Sequence, residues 1–407
     1  MKISATQFKT TDFPHPIRTL LFSTLFPSCA RPGHGIFVET RLRELLKTGE
    51  VETKVVAPVP WFPFPRKHFG EYGKFAATPQ FERRNGVDVF HPRYFLPPKV
   101  GMSVAPYTLA HGAMPTINKL ICDGFDFDLI DAHYYYPDGV AAGIIAKWLG
   151  KPFIVTARGT DLNLIPEYRK PRRLILETAK AAAASIGVSQ ALVDRLAALG
   201  AERKKIFFFR NGVDLERFKP EEKWLARQKL GLPDLPTILS VGNLVELKGH
   251  HIAIEALRLL PDETCLIIAG SGPEREALER LTARLELSHR VRLVGQIPND
   301  VLKWLLSAAD ALALCSSREG WPNVLLESLA CGTPVIATNV GGVPEIVSSP
   351  TVGRVMESRT AAVFAKSFLD LMSSHPSPSE IRQFAENFGW DATSQAQIRL
   401  FDRVRNA

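Results

Sequence analysis

Two glutamates, Glu319 and Glu327, stand eight positions apart in "EGWPNVLLE" (319–327). Pro322 suits the first turn of a helix, because its ring presets φ and its missing N–H is one the helix would leave unpaired. Glu319 is then on the loop before a helix and Glu327 inside it, roughly 7 to 8 Å along the axis from the helix start. Carboxylates held that way do not easily flank one bond or share one proton. They suit a long, polyhydroxylated ligand gripped at two points, since a carboxylate accepts from two neighbouring hydroxyls at once. Charged residues usually stay exposed, so either glutamate taken singly reads as a cap or a solvated helix residue. The apolar run "NVLLESLACGTPVIA" (323–337) around Glu327 points instead to a carboxylate turned into a cleft.

A cation belongs to the same chemistry. In "VGNLVELKGHHIAIEAL" (241–257) a strand is expected to end at Gly242 and a helix to begin near Gly249, with Lys248 just ahead of it. An ammonium and the unpaired N–H groups of a helix start make a site for a diphosphate, and a lysine without that role would oppose the helix dipole. "AGSGPERE" (269–276) sets Gly270 and Gly272 at a strand-to-helix turn, which either admits a nucleotide base to the backbone or is a plain tight turn. The third glycine of a dinucleotide fingerprint is missing. Upstream, His133 of "DAHYYYPDG" is expected at the carboxyl end of a strand, the edge where open α/β sheets bind ligands. Gly33 and Gly35 flank His34 in the loop after the first expected strand, where glycine permits close backbone approach. Asp126 and Asp128 of "FDFD" have the spacing of a metal-binding pair, but they precede a strand and lie at the opposite edge. They read as a solvated turn, and no metal is expected.

Such residues need a scaffold that brings distant loops together. Short apolar runs alternate with helix-period stretches throughout, the pattern of βα units around parallel sheets. Strands are predicted at 18–24, 53–58, 127–132, 153–157, 184–188 and 205–210, with helices between them, for instance at 36–48 and 138–149. A second series follows "RNGVDLERFKP": strands at 237–241, 264–269, 291–294, 311–315 and 334–337, helices at 249–260, 273–286, 299–307 and 322–331. The expected fold class is α/β, with two Rossmann-like doubly wound parallel sheets facing across a cleft. The expected domains are 1–215, 216–390 and a last helix within 391–407 that returns to the first.

Composition narrows the class further. A hydrophobic content of 45% with 23% charged residues is that of a soluble globular chain, and 407 residues fit two domains. The five cysteines form no CxxC pair, which argues against a disulfide framework or zinc site and for a reducing, cytoplasmic setting. The net charge of +8 is carried by the first half, whereas the second is slightly acidic. A basic half should face something anionic. "WFPFPRKHFGEYGKF" (61–75) mixes aromatic and basic residues and "YRKPRR" (168–173) is cationic, so peripheral contact with an anionic membrane is an expectation beside solvated loops.

Taken together, "VGNLVELKG", "AGSGPER", "VGQIPNDVL", "EGWPNVLLESLACGTPVIAT", "VGGVPEIV" and "RNGVDLERF" resemble the retaining glycosyltransferases of family 4, which have the GT-B fold. "PGHGIF", "TARGTDLN" and "EGWPNVLLE" are most similar to cell-surface polysaccharide enzymes of the teichuronic acid type. The resemblance implies an acceptor-binding first domain and a second that binds a nucleoside-diphosphate sugar. It implies that Glu319 contacts the donor sugar, Glu327 the ribose, Lys248 the diphosphate and His133 the sugar from the first domain. It extends the donor site to Gly242, Asn243, Gly270, Gly272, Gly33, Gly35, Asn323, Val324 and Leu325. Asn243 stands where the family often has arginine, and Arg158 of "TARGTD" is the expected substitute. The implied partners are a nucleotide-sugar donor and a glycan or lipid-linked acceptor, with no cofactor and no nucleic acid. A sugar-nucleotide epimerase of similar build stays open, while the absent glycine disfavours an NAD-linked oxidoreductase.

Overall fold

The structure is a computed structural model that describes residues 15–97, 101–374 and 377–407, so the first fourteen residues of the first expected domain lie outside it. By contact the chain divides into two compact units. The first comprises the chain up to His133, Val140–Ile154 and Ser394–Ala407; the second comprises Tyr134–Gly139 and Val155–Thr393.

In the first unit β1 (Ile17–Phe22) leads to α1 (Ile36–Leu46), β2 (Val51–Val56) and β3 (Val59–Pro60). There follow α2 (Glu71–Ala77), β4 (Phe81–Arg84), β5 (Val87–Phe90), β6 (Arg93–Tyr94), α3 (Gly101–Cys122), β7 (Leu129–His133) and α4 (Val140–Leu149). The main strands lie in the order β7-β1-β2-β5-β4, with β1 parallel to both β7 and β2. Every residue of β7 is buried, as a parallel strand covered on both faces must be. Leu21, Val38, Leu42, Val55 and Val89 knit α1 to the strands in one apolar cluster.

Sequence pattern missed α3 and the β4–β5 hairpin. Pro106 and Pro115 sit inside α3 and disguise it, yet Ala105, Leu109, Ala113, Ile117 and Leu120 are buried at helical spacing. The hairpin pairs antiparallel through Asn85 and Gly86, both at positive φ.

Strand β8 (Phe153–Ala157) straddles the division. In the second unit come α5 (Thr160–Asn163), α6 (Arg169–Ala181), β9 (Ala184–Gly187), α7 (Gln190–Leu199) and β10 (Ile206–Phe208), with β10 parallel to β9. Then α8 (Lys223–Leu230), β11 (Thr237–Val241), α9 (His250–Ala256), β12 (Cys265–Ala269), α10 (Arg275–Arg284) and β13 (Val291–Gly295) form half of a sheet. The other half is α11 (Asn299–Ala308), β14 (Ala311–Leu314), α12 (Asn323–Ala330), β15 (Val335–Thr338), α13 (Val343–Ile346), β16 (Gly353–Met356), α14 (Ala361–Ser373) and α15 (Pro378–Ala385). The last helix, α16 (Asp391–Arg405), has its residues from Ser394 onward in the first unit.

The six strands of the second sheet run β13-β12-β11-β14-β15-β16, all parallel. Numbered within the sheet that order is 3-2-1-4-5-6, the Rossmann arrangement. The second sheet is therefore wholly parallel and the first parallel apart from its β4 edge, and both are Rossmann-like. β16 was not expected from the sequence; Gly353 admits it, since a Cβ there would meet the Val335 carbonyl oxygen at 2.2 Å.

The order reverses between β11 and β14, and glycine lets their following loops touch. Gly249 has φ 69°, and a Cβ on it would lie 2.1 Å from the carbonyl oxygen of Cys315. Gly231 has φ 61° with nothing within 4 Å, so alanine there meets strain alone. We expect Gly231→Ala to lose about 1 kcal/mol and Gly249→Ala about 2 to 4 kcal/mol in denaturant unfolding. Equal losses would show that the contact at Cys315 yields freely.

Candidate active site

Lys248 closes the loop after β11, at the end of a 3-10 turn spanning Glu246–Lys248. Glu319 lies in the loop after β14. Besides Gly249, Ser317 N–H donates to the Leu247 carbonyl (2.8 Å) and the Arg359 guanidinium donates to the carbonyls of Cys315 (2.7 Å) and Glu246 (2.8 Å). Thr338, at the end of β15, donates its hydroxyl to the Ser316 carbonyl (2.6 Å). With both loops tied, Lys248 Nζ reaches Glu319 Oε1 at 2.6 Å, and Ser316 Oγ donates to the same oxygen at 2.7 Å. The lysine stem crosses Gly242, where a Cβ would sit 3.6 Å from its Cδ. Sequence reasoning paired Lys248 and Glu319 as partners in function, and they form one ion pair. It missed Ser316, Thr338 and Arg359, which carry no motif.

The backbone at Glu319 is gripped from two sides. A Cβ on Gly341 (φ 52°) would meet the Glu319 carbonyl oxygen at 2.1 Å, and Gly342 N–H donates to the Gly320 carbonyl (3.0 Å). A Cβ on Gly320 would meet the Arg158 carbonyl oxygen at 2.0 Å, and Asn163 Nδ2 donates to the Glu319 carbonyl (3.3 Å). Buried Asp161 shapes that neighbouring turn by accepting N–H bonds from Gly159 (2.7 Å) and Tyr135 (2.9 Å). The glycine pair of "VGGVPEIV" was the available signal for this packing.

Gly270 and Gly272 prove to be backbone crossings. A Cβ on Gly270 would lie 1.8 Å from the Gly242 carbonyl oxygen and one on Gly272 2.4 Å from that of Leu244. Asn243 is exposed; its carbonyl accepts from His250 Nε2 (3.2 Å). His250, buried at the start of α9 with Nδ1 on Ser240 Oγ (2.8 Å), has its pKa pushed down to about 4 by burial and the nearby Lys248 and His251 charges.

Pro322 precedes α12 as its N-cap, so the helix starts one residue later than expected, at Asn323. Glu327 is half-buried, and burial pushes its carboxyl up to about 7 against the pull of Arg217. Asn323 Oδ1 accepts from Asn211 Nδ2 (3.2 Å), whose Oδ1 accepts from Arg158 Nη1 (3.1 Å). Arg158, expected to replace an arginine at Asn243, thus engages the start of α12 through Asn211. Val324 is half-buried; Leu325 is fully buried and its N–H donates to the Pro322 carbonyl.

The first unit has its own reversal point, between β1 and β7. Gly33 is exposed, while Gly35 is buried at φ 68°, heads α1, and would place a Cβ 2.3 Å from the Leu25 carbonyl oxygen. His34 Nε2 lies 3.1 Å from the Thr24 carbonyl, and burial with the Arg31 charge pushes its pKa down to about 4. His133 ends β7, buried, with Nε2 3.2 Å from Asp131 Oδ2. Asp126 pairs with Lys151 (2.7 Å) and Asp128 accepts from Arg18 N–H (2.8 Å). Among the described residues no three His, Cys, Asp or Glu side chains gather as metal ligands.

The family model for Glycosyltransferase Family 4 matches residues 33–217, and that for Glycosyl transferases group 1 matches residues 222–388. The putative teichuronic acid biosynthesis glycosyltransferase TuaC of Bacillus subtilis is 33% identical, over 81% of this chain and 83% of that protein. The chain belongs to this glycosyltransferase family. A further relative, D-inositol 3-phosphate glycosyltransferase 1 of Catenulispora acidiphila, is 29% identical over 97% of this chain and 96% of its own length. Sucrose-phosphate synthase from Thermosynechococcus elongatus shares the fold with a TM-score of 0.76 at 20% identity, over 96% of this chain and 99% of that one. Anabaena Alr3699/HepE, solved with UDP and glucose, does so with a TM-score of 0.72 at 21% identity, over 96% and 100%. The protein is therefore a glycosyltransferase of GT-B fold, and these relatives do not favour the epimerase reading.

The two depressed histidines set a pH dependence for this glycosyltransferase. In the unfolded chain each titrates near 6.5, in the folded one near 4, so the unfolded state takes the proton first. Their contribution to stability is whole above pH 6.5 and declines as the pH falls toward 4. Glu327, raised to about 7, works in the opposite sense over pH 6.5 to 5, because its neutral form favours the folded state as the pH falls. The readout is therefore the difference between chains: His250→Asn should lose less melting temperature from pH 6.5 to 5 than the parent, and an unchanged slope would show that His250 contributes nothing.

Proposed function

We propose that the protein is a retaining glycosyltransferase that moves a sugar from a nucleoside-diphosphate sugar to a glycan or lipid-linked acceptor in cell-surface polysaccharide synthesis. The observation that carries the reading is the Lys248–Glu319 pair at the β11/β14 reversal, a cation and a carboxylate on one spot where such sheets bind nucleotides. The relatedness to a teichuronic acid enzyme supports the product class, and the UDP-bound neighbour supports a UDP-sugar donor.

In this reading Lys248 shares its ammonium with the diphosphate, and Glu319 offers Oε2 to sugar hydroxyls while Oε1 stays with Lys248 and Ser316. Glu327 takes the ribose hydroxyls, and His133 is assigned to the donor sugar. As the bond from the anomeric carbon to the phosphate oxygen breaks, charge grows on the diphosphate. Lys248 stabilises that charge more in the transition state than in the ground state. The acceptor hydroxyl attacks from the side of the leaving group, and its proton passes to the departing phosphate, so the anomeric configuration is kept. No resident metal is invoked, because the ammonium and backbone N–H groups carry the neutralising role.

Thermal stabilisation by UDP-, GDP- and ADP-sugars should single out the UDP series, since a ligand bound only to the native state raises its melting point. Glu319→Gln and Lys248→Ala should each lower turnover by about 100-fold or more with the fold intact. Near-wild-type turnover in either variant would end this assignment.

The lipid-linked acceptor implies contact with a membrane surface. Trp61 and Phe64 are more than half exposed beside the ring cluster of Phe62, Phe69 and Tyr72, close in sequence to exposed Arg66. In the second unit Arg169, Arg172 and Arg173 are exposed at the start of α6, where cations oppose the helix dipole. Among the described residues no helix is long and apolar enough to cross a membrane. We expect the protein to float with vesicles rich in anionic lipid at low salt and to release at high salt; recovery only in the unbound fraction would remove this part of the proposal.

A further inference from the structure

A buried polar chain runs through the first unit from α1 to the end of β7 by way of the last helix. Arg41 Nε donates to Gln397 Oε1 (2.8 Å), Gln397 Nε2 donates to Asp131 Oδ2 (3.2 Å), and His133 Nε2 lies 3.2 Å from that same oxygen. The four residues are 2%, 1%, 3% and 2% exposed, in the order Arg41, Gln397, Asp131, His133. Both donors converge on Asp131 Oδ2, and among the described residues Asp131 Oδ1 meets no donor.

The chemistry of the groups fixes the direction of every bond. A guanidinium only donates and a carboxylate only accepts. The amide of Gln397 must therefore turn its oxygen to Arg41 and its nitrogen to Asp131. His133 must carry a proton on Nε2, which puts the lone pair of the neutral ring on Nδ1. Asp131 and His133 stand two apart on β7 and so share one face of the sheet. Charge reaches the imidazole from Asp131 on its own strand and, through Gln397 of α16, from Arg41 of α1; Ser23 Oγ, after β1, donates to the His133 carbonyl (3.1 Å).

We infer that Gln397, held by Arg41, is a positioning residue for His133: it fixes the Asp131 carboxylate that sets the tautomer and basicity of the imidazole. The inference rests on the proposed role of His133 at the donor sugar. Its physical content is the division of one carboxylate between two donors. While Gln397 donates to Oδ2, part of the carboxylate charge is taken up by the amide and less is left to stabilise an imidazolium. Taking that donor away, or placing a second negative charge beside it, raises the affinity of the imidazole for a proton. A glutamine that merely anchored α16 would alter stability and leave the ring unchanged.

The test uses the full chain with ¹⁵N-labelled histidine, reading the His133 tautomer and titration beside kcat, the KM for the nucleotide sugar and the melting temperature. Gln397→Glu keeps the shape and the Arg41 contact and should move the His133 titration upward by about one pH unit. Gln397→Met should lower kcat about 10-fold with KM held within about 2-fold, the pattern of a lost outer partner to a working histidine. A folded variant of either kind whose ring signals match the wild type, with only the melting temperature changed, overturns the inference. If both fail to fold, Arg41→Lys, which keeps the charge but loses the Nε donor to Gln397, is read by the same signals and the same criterion. His133→Ala separates the two ideas: near-normal turnover removes the reading of His133, whereas an inactive His133→Ala with an unmoved titration in Gln397→Glu removes only the role of Gln397.

Discussion

The placement of one ammonium on one carboxylate is the interaction on which the second unit's site depends. Lys248 and Glu319 lie 71 residues apart on separate loops, and 2.6 Å separates Nζ from Oε1. Nothing local brings them together. Parallel strands β11 and β14 are neighbours because the strand order turns back between them, so both following loops emerge at the same edge. What remains is to let those loops approach closely, and glycines do this where any Cβ would collide with a carbonyl oxygen. The pair is largely shielded, with side-chain exposures of 23% and 10%, so each charge has more effect on its neighbour than a surface pair would.

Around that pair the molecule uses backbone groups, neutral side chains and one guanidinium. Ser316 steadies the carboxylate, Thr338 and Asn163 hold main-chain carbonyls, and Arg359 clamps two more. A site so supported keeps its geometry through bonds to main-chain carbonyls and a hydroxyl. The first unit follows the same logic. Its strand order also reverses, between β1 and β7, and there a glycine-started helix and a buried histidine share one edge. In both sheets the residues with chemistry occupy the carboxyl side of the reversal, and their supporting partners come from neighbouring elements.

Parallel strands were legible because a strand buried on both faces is an unbroken apolar run, as in "FIVTA" and "TILSV", each observed with its expected bounds. Edge elements were not. The β4–β5 hairpin carries "FERR" and "VDVF", half-exposed strands whose polar residues read as loop, and α3 hides behind two prolines. Glu319, Glu327 and Lys248 stood out in the sequence by type and position, and Gly249 by preceding a helix. Arg359 and Gln397 did not, because an arginine or glutamine in a polar helix or loop looks like any solvated residue until its partner, 113 or 266 positions away, is known.

The sequence by itself determined the α/β class, most of the buried parallel strands and the family. Those follow from local periodicity and from motifs that are contiguous in the chain. Only the tertiary structure decided which side chains meet: that Lys248 finds Glu319, that Arg158 turns to Asn211, that Pro322 stands outside its helix, and that the last helix lends Gln397 to Asp131. The reason is physical. A hydrogen bond or ion pair depends on distances of a few ångströms, and these are set by strand order and glycine crossings over the whole sheet, which no short stretch of residues encodes.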